Sequence, residues 1–185
     1  MDLSVLNEWL VAFNNKATMN TLNNAVSLFC SLLLILVLFT DKKFNSSSIG
    51  ILVLCLGVGL ESIALPNLVQ IASTEALLNY FVWYGGWIGL KIICLLLLLK
   101  FHRFYQLRVS DVSLTLVWYY VFSAFVQAID FIDRATFDSG VFATFYQLST
   151  LLLGVLIAPV VGIMFFREYY QRRRQLKLQE VRAIC

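Results

Sequence analysis

The sequence predicts an all-helical membrane protein, a polytopic bundle of five transmembrane helices with its N-terminus outside and its C-terminus inside. Three observations carry that expectation. Of 185 residues, 60% are apolar and only 14% charged, at a mean hydropathy of +0.80, whereas in soluble domains about a quarter of the residues are charged. The apolar residues gather in five runs, each close to the length of about 20 residues that crosses roughly 30 Å of hydrocarbon. Lysine and arginine collect in alternate connections, which is how orientation is written into such chains. Little of the chain is left for a soluble domain, so its first partner is the lipid bilayer.

Residues 1–20 are too polar to span and lack the pattern of a signal peptide. Leu3, Leu6, Trp9, Leu10 and Phe13 recur at helical spacing among Asp2, Asn7, Glu8 and Asn14. Such a segment reads as a short amphipathic interfacial helix, or as one packed on the ends of the bundle. Residues 21–168 form the transmembrane domain, with spans at about 22–40, 49–71, 80–101, 112–130 and 141–166. The first span ends in the polar stretch from Asp41 to Ser48. Pro66 is expected to kink or end the regular part of the second span. The third opens on Tyr80, Phe81, Trp83, Tyr84 and Trp87, an aromatic group suited to the headgroup level. The fourth is rich in aromatic residues and ends at Asp130, Asp133 and Arg134. The fifth exceeds the length needed and is expected to tilt or extend past the interface. Beyond it, residues 169–185 form a basic cytoplasmic tail that continues the helix into water.

Charge orients the spans. Lys42 and Lys43, then Lys100, Arg103 and Arg108, then Arg172, Arg173 and Arg174 fall on one side, against Lys16 and Arg134 among several carboxylates on the other. The first side is expected to be cytoplasmic. Arg172, Arg173, Arg174 and Lys177 would attract anionic lipid or dock a cytoplasmic protein partner; direct nucleic-acid binding is not expected of so small a patch.

Two ionisable residues lie deep in apolar runs, Glu61 in the second span and Lys91 in the third. Charges there cost at least about 2.5–3.5 kcal/mol each and are functional candidates. Counted along antiparallel helices, their Cα levels differ by about 8 Å, and each side chain leans toward the N-terminus of its own helix, so they lean toward each other. Either they neutralise one another and fix the register of the hairpin, or they line a water-filled path or ligand cavity. Tyr119, Tyr120, Gln127 and Gln147 are the polar residues that could serve them from neighbouring spans. Asp130 and Asp133, three apart, could bind a cation or do acid and base work, but are expected to be a solvated cap near the outer surface. Small residues at Gly85 and Gly89, and at Gly154, Ala158 and Gly162, would let helix backbones approach, within the chain or between copies.

Several chemistries are disfavoured. Cys30, Cys55 and Cys94 sit in apolar runs with no closely spaced pair for disulfide exchange. With His102 the single histidine and no HExxH, GxSxG or Walker motif, no metal site, cofactor or familiar catalytic centre is expected. The expected function is therefore non-enzymatic: a small protein of a cell membrane, a bacterial inner membrane by size and loop economy, acting as a homo-oligomer or with a partner. By analogy of class such proteins are pores, channels, anchors or sensors, phage-defence effectors among them. The alternative is a small proton- or cation-coupled transporter using Glu61, and the third reading a membrane enzyme using Asp130 and Asp133.

Overall fold

The computed structural model describes residues 16–40, 45–72, 76–137 and 142–184. The expected amphipathic segment lies outside them, apart from residues 16–20, which belong to the first helix. There are five long helices: α1 Lys16–Thr40, α2 Ser46–Ala72, α3 Ala76–Tyr105, α4 Asp111–Ile132 and α5 Ala143–Ile184, with a π-helical stretch Asp133–Phe137 after α4. All five are long and apolar enough to cross a membrane, so the chain is a helical membrane protein. The regular part of the second span does not end at Pro66, for the helix carries on to Ala72; α5 likewise runs over Pro159 through 42 residues. A proline inside a membrane helix is tolerated where neighbouring groups or small local adjustments re-satisfy the backbone carbonyl it leaves without a donor.

The helix ends explain the boundaries. Asn45 caps α2, its Oδ1 accepting from the backbone N and the hydroxyl of Ser48 at 2.9 Å each. Ser110 caps α4 from an extended conformation, its hydroxyl accepting from Ser113 N at 3.2 Å. Such a side-chain acceptor satisfies an amide that has no partner inside the helix. α3 closes on Gln106, whose φ of 51° is left-handed, with Leu107 N bonded to His102 O at 3.2 Å. This is the usual Schellman closure with glutamine where glycine is favoured.

Neighbours in sequence pack as neighbours in space, α1 on α2, α2 on α3, α3 on α4 and α4 on α5. α1 returns against α5 to close a ring, and α2 also meets α4 across it. The end carrying Lys100, Arg103, Arg108 and the arginine run of α5 is called here the basic end, the opposite one the far end. α2 reaches α4 through residues with little or no side chain. A Cβ on Gly50 would stand 3.1 Å from Ser113 Oγ and 3.2 Å from Leu116 Cδ1, and one on Gly57 3.0 Å from Cys94 Sγ. Lipid tails are as apolar as leucine, so close backbone packing rather than apolar burial holds such helices together.

The core is lopsided. Its fully packed side chains, Leu33, Val37, Val53, Leu54, Leu98, Leu116, Val161 and Phe165 among them, all lie between the Gly57 level and the basic end. In the far half the buried apolar residues of the described chain are Tyr84 and Val126.

Candidate functional site: an ion pair at the floor of a polar cavity

Glu61 stands one turn beyond Gly57 on α2, and Lys91 about one turn beyond Cys94 on the antiparallel α3. The close approach at Gly57 therefore puts both at one level. Lys91 Nζ donates to Glu61 Oε1 and to Tyr119 Oη at 3.3 Å, and lies 5.1 Å from the centre of the Tyr119 ring. The two partners are not equally placed, for the side chain of Lys91 is 6% exposed and that of Glu61 27%. The ammonium is withdrawn into the bundle, and the carboxylate keeps an open flank.

That flank faces a cavity of about 320 Å³ in the far half. Its walls come from every helix: Asn23 of α1, Glu61 and Leu65 of α2, Trp83, Trp87 and Lys91 of α3, Tyr119, Ser123 and Gln127 of α4, and Tyr146, Thr150, Leu153 and Gly154 of α5. The helical periods explain the lining. Trp83, Trp87 and Lys91 are spaced by four on α3, as are Tyr119, Ser123 and Gln127 on α4, so each set forms one inward stripe. Trp83 and Trp87 meet edge to face at 5.7 Å. Asn23 Nδ2 donates to Ser62 Oγ at 3.3 Å, joining α1 to α2 at the rim. Gln127 is buried, and its Oε1 has no hydrogen-bond partner among the described residues, which costs about 1–3 kcal/mol.

Behind the wall lies a second cluster. Asp130 is fully buried, accepting from Tyr84 Oη and from Arg134 Nε at 3.1 Å, while its Oδ1 has no partner. Asp133 is also buried, its Oδ2 facing Phe142 N at 3.5 Å. The solvated cap expected from the sequence is corrected here. α4 does not end at Asp130 but runs on to Ile132 and passes into the π-helical stretch that begins with Asp133, and both carboxylates are buried. The Tyr84 ring lies 5.8 Å from that of Tyr146, so this cluster backs directly on the cavity.

The other singled-out residues fall elsewhere. Tyr120 is buried below the cavity floor, its hydroxyl close to Gly57. Gln147 is half-buried and outside the lining. A Cβ on Gly85, Gly89 or Gly154 would meet nothing within 4 Å, whereas one on Gly162 would touch Phe29 at 3.4 Å, and Ala158 is buried. Arg172 turns in part toward α2, donating to Ser47 Oγ at 2.9 Å and Glu168 Oε2 at 3.2 Å. Arg173 lies 5.0 Å over the Tyr169 ring, Arg174 is exposed, and Lys177 lies on α5. Cys30 and Cys94 are buried, and all three cysteines within the described residues are free.

A polar latch at the basic end is invisible in the sequence reading. His102 Nδ1 lies 2.8 Å from Leu98 O, which can only accept, so Nε2 is free to accept from Ser46 Oγ at 2.7 Å. Ser46 Oγ in turn accepts from Ser110 N at 2.8 Å, and Ser113 Oγ donates to Ser46 O at 2.8 Å. Glu168 of α5 accepts from Ser47 Oγ and from Val112 N at 3.1 Å, at the start of α4. Four helices are thereby tied where the core is tightest.

No family model, curated protein or solved structure matches the chain. The site is therefore read from its own chemistry.

Proposed function

We propose that this protein binds a small polar ligand in the cavity above the Glu61–Lys91 pair, as a small transporter or ligand sensor of the cytoplasmic membrane. The observation that carries the proposal is the asymmetry of the bundle: a polar, aromatic-lined cavity in one half, a packed and latched core in the other, and the ion pair between them. Under the charge-based orientation, N-terminus outside and C-terminus inside, the cavity belongs to the outer leaflet and takes its ligand from outside. Binding rather than catalysis fits the site, because its one carboxylate is already held by Lys91 and no nucleophile is paired with a base on the cavity wall. A transporter cycle would open the packed half in turn, with Glu61 as the residue that changes partner.

The test uses the full chain in liposomes with Trp9 and Trp118 changed to phenylalanine, so that emission reports Trp83 and Trp87. Acrylamide, a neutral quencher poorly soluble in hydrocarbon, is expected to quench them strongly. Quenching as weak as for tryptophan buried in lipid would sink the reading.

A second reading rests on one separate observation. Gly85 is exposed and, with Gly89, lies on the side of α3 opposite Trp83, Trp87 and Lys91, with open space beside both. This outer seam fits a helix of another copy, so ligand binding and self-association are compatible in one protein.

A further inference from the structure

Resting on the cavity as a ligand site, we infer that its ligand is a small organic monocation, an ammonium group carrying a compact apolar body. Two features of the wall select charge of that sign. The carboxylate of Glu61 keeps an open flank on the cavity, while the one cation on its wall, Lys91, is 4% exposed and already bonded twice. A carboxylate or phosphate ligand would meet neutral donors there but no free cation.

The second feature is aromatic. Trp83, Trp87 and Tyr146 line the space, and aromatic rings attract cations most strongly where water is excluded. The site already holds one ammonium this way, that of Lys91 against Tyr119. The volume, about 320 Å³, suits a body of choline or tetraethylammonium size and leaves room for water.

The test is a titration of the same two-tryptophan protein with choline, with 3,3-dimethylbutanol as its uncharged counterpart of the same shape, and with isovalerate as an anion. Choline is expected to change the emission saturably, and the other two to bind about tenfold more weakly or less. Glu61→Gln is expected to lose the preference for choline over the alcohol. Because Glu61→Gln also strands the Lys91 charge, Gly154→Leu serves beside it, filling the cavity without touching the pair and abolishing choline binding. Equal binding of the alcohol, preference for isovalerate, or no binding of choline in a cavity that acrylamide reaches would overturn the monocation while leaving the ligand site intact. Failure of acrylamide to reach the tryptophans would remove the ligand site itself.

Discussion

Lys91 shows how much a single side chain depends on its partners in this protein. Its ammonium is buried with Glu61 and Tyr119 around it, and removing one member of a buried pair strands the other. Glu61→Gln is therefore expected to destabilise the protein by about 3 kcal/mol, read by unfolding in mixed detergent. The double change Glu61→Leu with Lys91→Leu should recover most of that loss, since no charge is then left without a counterion. At the basic end, Gln106 holds a left-handed φ that favours glycine, so Gln106→Gly should raise stability by about 1 kcal/mol; a decrease would mean that the glutamine side chain contributes something the closure does not need. The pair was legible in the sequence because two charges inside apolar runs have few alternatives. The burial of Asp130 was not, because carboxylates at the end of a span normally reach water, and only the turn after Ile132 decides otherwise. Nor was the latch, whose serines look like an ordinary polar connection until Ser46, His102 and Ser113 are brought to one level.

Among the helices, the glycines separate two jobs that sequence spacing cannot distinguish. Gly50 and Gly57 are where α2 touches α4 and α3, while Gly154 faces empty space in the cavity. Gly57→Leu is expected to cost about 1–3 kcal/mol, the usual penalty for overpacking, while Gly154→Leu should leave the unfolding midpoint nearly unchanged. If both were equally harmful, the cavity would be closed in the membrane. Motif spacing favoured Gly85, Gly89 and Gly154, since a GxxxG pattern marks a face but not what lies against it. For Gly85 and Gly89 that neighbour is expected to be a second copy: leucine at both positions should abolish cross-linking between copies and leave the unfolding midpoint of the single chain in place. The five helices were readable from hydropathy alone because lipid imposes a length on each of them.

At the scale of the whole molecule, function follows from where packing stops. Ring closure of α1 on α5 and the α2–α4 contact seal one half, and the same α2 and α4 carry Glu61, Ser123 and Gln127 around open space in the other. Composition could not show this division, since both halves are apolar by count and differ only in which residues point inward. The central claim is that water reaches the cavity from one face and stops at the ion pair. Its most direct measurement uses a cysteine-free chain in liposomes, bearing either Thr150→Cys in the cavity wall or Val161→Cys in the packed half, exposed to a charged methanethiosulfonate on one side at a time. The account predicts that the residue introduced at Thr150 reacts only from the face opposite the basic tail, and that the one at Val161 reacts from neither. Lack of reaction at Thr150 from both faces, or equal reaction at both positions, would contradict it.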